Sequence, residues 1–130
     1  MTRPKPLLLD ASALLAVTNG KLPLRARMAY LDPDVQTYLS VVALWEIGIK
    51  HALGKLSLET SYESFLSLWT MSPQVTLLPL DFAPLRHLSA LPHVHGEPFD
   101  RLLVCVAREL GAVIASSDRV FERYGVDRVW

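Results

Sequence analysis

Of the thirteen acidic side chains in the 130-residue chain, four stand where apolar neighbours dominate: Asp10, Glu46, Asp100 and Asp118. Asp10 ends the run Leu7-Leu8-Leu9, at the carboxyl edge of a predicted central strand, where open α/β sheets place their ligands. Taken alone, it also reads as a cap for the helix that starts near Ser12. Glu46 lies within Val41-Val42-Ala43-Leu44-Trp45-Glu46-Ile47-Gly48-Ile49, a helix apolar on nearly every side, and shares its face with Val42, Ile49 and Leu53. A charge buried there must neutralise itself, pair, or face a cation. An i,i+4 pair with Lys50 accounts for it equally well. Asp100 opens a helix whose inward stripe is Leu103, Val104, Ala107 and Leu110, so the carboxylate shares the buried face; complementing the helix dipole is its simpler role. Asp118 follows the predicted strand 113–115 through Ser116-Ser117 and repeats the order of Asp10, namely strand, carboxylate, helix. It too reads as an N-cap.

If the strands at Leu7 and Val113 are neighbours in a parallel sheet, the four carboxylates converge within a few ångströms. Such a cluster repels itself and titrates upward unless a multivalent cation neutralises it. Hard oxygen donors without cysteine or converging histidine select Mg²⁺ or Mn²⁺ over zinc. Carboxylate-held ions of this kind suit phosphoryl transfer, because they acidify bound water and stabilise the leaving oxygen.

The elements that must position these residues are short apolar runs alternating with longer helical segments, the pattern of parallel βα units. Strands are predicted at 7–10, 35–39, 75–78, 113–115 and 127–130, each covered on both faces. Helices are predicted at 12–18, 24–31, 41–53, 62–71, 82–90, 99–110 and 119–124, with Ser40 as an N-cap and Gly54 and Gly111 as stops. With 51% apolar and 20% charged residues and no repeats or linkers, residues 1–130 are expected to form one domain. That composition excludes disorder. Thirteen basic residues balance the thirteen acidic ones, which excludes nucleic-acid binding by overall basicity, so an anionic substrate must be held locally. One cysteine, Cys105, excludes an internal disulfide and points to a reducing cytoplasm; in its apolar helix it reads as core. Arg3 and Lys5 ahead of an apolar run imitate a secretory signal, but Asp10 and the following Thr18-Asn19-Gly20 argue for a strand entering a helix. No apolar run approaches the ~18–20 residues of a membrane span.

Leu7-Leu8-Leu9-Asp10-Ala11-Ser12, Ser40-Val41-Val42-Ala43-Leu44-Trp45-Glu46-Ile47-Gly48-Ile49-Lys50, Pro98-Phe99-Asp100-Arg101-Leu102-Leu103 and Ser116-Ser117-Asp118 resemble, in order, the motifs of PIN-domain proteins, above all VapC-type toxins of bacterial toxin–antitoxin pairs. The likeness spans nearly the whole chain, including His51-Ala52-Leu53-Gly54-Lys55-Leu56 and Tyr124-Gly125-Val126. It implies a three-layer α/β/α sandwich around a parallel sheet of about four or five strands. It also implies a Mg²⁺- or Mn²⁺-dependent endoribonuclease, silenced by a VapB-like antitoxin and forming a homodimer. On this resemblance Asp10, Asp100 and Asp118 hold the metal directly or through water. Glu46 completes the cluster and orients the attacking water or takes its proton, while Ser12 and Ser116 hold the carboxylates in place.

The chain departs from the subgroup before Pro98, where Glu97 replaces an Asp. His93 and His95 lack a third ligand and are expected in a solvated or substrate-side loop. RNA would be gripped by Lys50, His51 and Lys55 beyond Glu46 and by Arg101 beside Asp100; for Lys55 a solvated helix end is the plainer reading. Trp45, Phe65, Leu66 and Trp69 are either core or an interface for an antitoxin helix. Three rivals remain. A haloacid-dehalogenase-type phosphotransferase lacks its second Asp, and a phosphoreceiver domain lacks paired acids at the first strand. A PIN-like module that binds RNA or protein without turnover is disfavoured by the retention of all four acids.

Overall fold

The computed structural model describes residues 3–130. Three consecutive leucines form strand β1 (Leu7–Leu9), and because successive side chains of a strand point to opposite faces, Leu8 enters one apolar layer while Leu7 and Leu9 enter the other. All three are buried, which identifies β1 as the middle of the sheet. β2 (Thr37–Ser40), β3 (Thr76–Leu78), β4 (Val113–Ala115) and β5 (Arg128–Val129) complete a wholly parallel sheet of order β3-β2-β1-β4-β5. The expected adjacency of the strands at Leu7 and Val113 is present, with Leu9 opposite Ala115.

Among the described residues six α-helices supply the outer layers: α1 (Ala11–Thr18), α2 (Leu24–Leu31), α3 (Val41–Ala52), α4 (Tyr62–Thr70), α5 (Phe82–Leu85) and α6 (Pro98–Leu110). Leu7 and Leu9 pack with Leu14, Ala43, Ile47, Phe65 and Trp69, whereas Leu8 and Ile114 pack with Leu103, Val104 and Ala107. The result is the α/β/α arrangement the sequence implied. Gly111 ends α6 at φ 63°, in the left-handed region that favours glycine, and returns the chain to β4. Gly48 serves α3 differently. A Cβ there would stand 2.6 Å from the Tyr62 ring, whose hydroxyl donates to the Leu44 carbonyl at 2.6 Å, so the missing side chain lets α4 dock on α3.

Three expectations are corrected. The strand at 75–78 is not covered on both faces, because β3 lies at the sheet's edge and leaves Thr76 and Leu77 exposed. The predicted helix 82–90 breaks after Leu85 and resumes as a 3₁₀ turn at Leu88–Ala90, because the N–H groups of Arg86, His87 and Ala90 turn to carbonyls three residues back. Leu53 is exposed just beyond α3 and does not share the buried face of Glu46. Phe65 and Trp69 are core, Leu66 is partly buried, and Trp45 is half-exposed, edge-on to Phe99 at 5.1 Å. Cys105 is a buried free thiol within α6.

Candidate metal centre

In a parallel sheet, helices that follow strands begin at the strands' carboxyl ends, and helices that lead into strands begin at that same edge. Asp10 follows β1, α3 follows β2, Asp118 follows β4, and α6 runs down to β4 from its N-terminal Asp100. The order of the sheet reverses at β1, between β2 and β4, which opens a crevice at this edge. There Asp10, Glu46, Glu97, Asp100 and Asp118 line one cavity of about 230 Å³, together with Ser12, Lys50 and Ser117.

Each carboxylate has its own partner. Asp10 is buried and caps α1, its Oδ1 accepting the Ala13 N–H at 2.9 Å and the Ser12 hydroxyl at 2.6 Å. Glu46 is buried, and its Oε2 accepts from Lys50 Nζ at 2.6 Å. Asp100 Oδ2 meets His95 Nε2 at 3.1 Å. Glu97 caps α6 through Phe99 N–H, and Asp118 caps the 3₁₀ turn at Arg119–Tyr124 through Val120 N–H. The capping and pairing roles weighed for Asp10, Glu46 and Asp118 are therefore all present, on side chains that also share a cavity.

The cavity is short of positive charge. Burial pushes the Asp10 carboxyl up from its ordinary value, against hydrogen bonds from Ser116, Ser12 and Ala13, and the charge of Glu46 adds to the rise. Asp100 is pushed up to about 6 by burial; its hydrogen bond to His95 opposes this, and the charges of Glu46, Asp118 and Glu97 reinforce it. Lys50 is raised by its hydrogen bond to Glu46, against burial, with the charges of Glu46, Glu97 and Asp100 adding to the effect. Carboxylates from separate elements thus sense one another through the same space.

An all-oxygen, anionic donor set fits a hard divalent cation. Glu46 Oε1, Asp100 Oδ1 and Asp118 Oδ2 accept no hydrogen bond among the described residues, which leaves one oxygen of each for a cation or its water. The gathering is looser than the sequence suggested. Among the described residues no three His, Cys, Asp or Glu side chains stand together as a ready-made cage, because each acid is drawn aside by its own partner.

The supporting serines lie at the junction. Ser12 Oγ accepts the Ser117 N–H at 3.1 Å, and buried Ser116 accepts the Asp118 N–H at 3.0 Å. Arg101, expected to hold RNA, reaches the Pro92 carbonyl at 3.0 Å and the Tyr124 hydroxyl at 3.3 Å through one nitrogen of its guanidinium. His51 is half-buried with an unpartnered Nδ1, and Lys55 is exposed. His93 is exposed as expected, and His95 is partly exposed, held between Asp100 and Tyr124, both of which come from other elements. Sequence reasoning missed Tyr124 as a supporting residue. Its one signal was an aromatic phenol ahead of the Gly125 turn in a segment otherwise reading as core.

The PIN domain family model matches residues 7–127. Among solved structures, the chain is similar to VapBC2 from Rickettsia felis bound to a promoter DNA fragment, with 13% identity over 95% of this chain and 96% of that one and a TM-score of 0.70. It is likewise similar to DNA-bound VapBC from Salmonella typhimurium, at 18% identity, coverage of 97% and 98%, and a TM-score of 0.66. VapBC-5 from Mycobacterium tuberculosis gives 18%, the same coverages and 0.63. No curated protein matches by sequence.

Proposed function

The chain belongs to the PIN domain family, and we propose that it is a metal-dependent endoribonuclease acting as the VapC-type toxin of a toxin–antitoxin pair. One observation carries the reading: five carboxylates, borne on four separate elements or their caps, line a single cavity at the carboxyl edge of the sheet. Mg²⁺ or Mn²⁺ bound there supplies the charge that neutralises them and the acidification of water that phosphodiester hydrolysis needs.

In this reading Asp10, Asp100 and Asp118 hold the cation. Ser12 and Ser116 fix the directions of Asp10 and of the Asp118 backbone. Glu46 takes the proton of the attacking water, once Lys50 has moved from its Oε2 toward the substrate phosphate. Lys50 then holds RNA that the chain's zero net charge does not attract at long range. Residues 1–130 work as one nuclease domain.

The solved structures of like fold are named as VapBC complexes, which supports a VapB-like antitoxin as partner. Leu24, Met28 and Leu31 stand exposed at i, i+4 and i+7 along α2, a stripe suited to an apolar partner helix or to the second subunit of a homodimer. The protein acts in the cytoplasm, where its RNA substrate lies; among the described residues no helix is long and apolar enough to cross a membrane.

The ties on Glu46 and Asp100 and the absence of a ready cage among the described residues favour one competitor, a PIN-like module that binds RNA or protein without cutting. Incubating structured RNA with the parent and with Asp10→Asn, each with Mn²⁺ and with chelator, separates the two. The nuclease cuts only as the parent with metal, and Asp10→Asn loses at least about 100-fold, the upper end of what loss of a ligand-orienting residue costs. RNA retained without product under Mn²⁺ would establish the module. Equal cleavage by both proteins defeats the assignment of Asp10.

A further inference from the structure

Beside the cavity, outside the four acids, a chain of hydrogen bonds runs through three side chains to reach one of them. Arg101 Nη1 lies 3.3 Å from the Tyr124 hydroxyl, that hydroxyl lies 2.7 Å from His95 Nδ1, and His95 Nε2 lies 3.1 Å from Asp100 Oδ2. Tyr124 is 2% exposed, so its hydroxyl must find its partners here. The Arg101 guanidinium stands 6.0 Å over the Tyr124 ring and ties down the Pro92 carbonyl at 3.0 Å, which pins the start of the loop that carries His95.

One arrangement of protons satisfies the links through their shortest contacts. Arginine can only donate, so the Tyr124 oxygen accepts from Arg101 and gives its own proton to His95 Nδ1. An accepting Nδ1 leaves the proton of a neutral ring on Nε2, which donates to the Asp100 carboxylate. The alternative for the tyrosine proton, the His95 carbonyl at 3.4 Å, is the longer contact. The aspartate therefore receives a directed N–H donor at its Oδ2.

From this geometry we infer that His95, held by Tyr124 and Arg101, is a positioning residue that fixes Asp100 by its Oδ2 and leaves Oδ1 to the divalent cation. The inference rests on the metal-centre reading above. It makes a loop histidine, 5 positions before the carboxylate and 29 before the tyrosine, part of the machinery through its reach to Asp100.

The test compares two amides of equal polarity and different reach. The side-chain N–H of glutamine extends as far as Nε2, and that of asparagine only as far as Nδ1. Mn²⁺ binding by calorimetry, RNA cleavage and thermal unfolding are measured for the parent, His95→Gln, His95→Asn and Tyr124→Phe. His95→Asn should bind Mn²⁺ about 10–100-fold more weakly, the usual effect of losing a ligand's outer partner. His95→Gln should stay within about threefold of the parent, and Tyr124→Phe should fall between them, since the ring keeps its place and loses its orientation. Matching Mn²⁺ affinities for His95→Asn and the parent overturn the inference, as does His95→Gln binding no better than His95→Asn. A parent that binds no Mn²⁺ overturns the metal-centre reading itself, and this inference with it. A parent that binds Mn²⁺ and cuts RNA while all three variants match it overturns the inference alone.

Discussion

Ser12 and Ser117 are joined across 105 positions of the chain: Ser12 Oγ accepts the Ser117 N–H at 3.1 Å while giving its own proton to Asp10 Oδ1 at 2.6 Å. One hydroxyl thus ties the loop after β4 to the loop after β1 and aims a buried carboxylate of the cavity.

Ser12→Ala removes both bonds and leaves the Asp10 oxygen one donor short. Stability should fall by about 1–3 kcal/mol, the net value of two such hydrogen bonds, readable as a shift in the urea midpoint. Mn²⁺ affinity should fall about 10-fold or more, because a ligand loses its orienting partner. Unchanged metal binding alongside the stability loss would leave Ser12 a structural link only.

Asp100 makes the metal-free protein pH-sensitive in a direction opposite to an ordinary salt-bridged acid. Its folded pKa of about 6 lies above the ordinary 3.8, so between those values the folded state holds more protons than the unfolded state. Its contribution to stability therefore declines as pH rises through that window and stays lost above it. In chelator, Asp100→Asn should be more stable relative to the parent at about pH 7 than at about pH 4, measured by urea unfolding of both proteins. Protons and cation compete for the same carboxylates, so Mn²⁺ affinity should weaken as pH drops below about 6. A pH-independent difference between parent and variant refutes the raised pKa.

Lys50 is the internal counter-charge of the cavity. Lys50→Met strands Glu46, whose side chain is only 8% exposed, and should cost roughly 1–3 kcal/mol in chelator, the penalty of an unpaired buried acceptor. Mn²⁺ should return part of that stability and bind more tightly, since the ammonium no longer competes for Glu46. If Lys50 also reaches a phosphate, the salt dependence of RNA binding should flatten by about 0.7 in slope. Weaker Mn²⁺ binding by the variant would contradict the competition.

Gly48→Ala places a methyl 2.6 Å from the Tyr62 ring. The expected cost is about 1–3 kcal/mol of overpacking, seen as a lower thermal midpoint, and Tyr62→Leu in the same chain should recover part of it. An unaffected midpoint would mean that α4 shifts freely on α3.

The strands and the helices near the acids were legible because they answer to local rules. Leu7-Leu8-Leu9 cannot be solvated, Ser40 caps α3 through Val42 N–H at 3.2 Å, and Gly111 stops α6 in the left-handed region. The helix predicted at 82–90 stops at Leu85, and the strand predicted at 75–78 is present but at an edge that nothing in Thr76–Leu78 declares. The partners of His95 were not foreseen because, lying 5 and 29 positions away, they leave no periodic trace.

By itself the sequence determined the strands and helices that carry Asp10, Glu46, Asp100 and Asp118, and made a shared edge the outcome if the strands at Leu7 and Val113 were neighbours. Tertiary structure alone decided what each carboxylate touches: Lys50 on Glu46, His95 on Asp100, Ser12 on Asp10. The reason is one of scale. Element order places a residue to within a helical turn, whereas hydrogen bonds and charge neutralisation depend on differences of an ångström, and those are set by the packing of parts far apart in the chain.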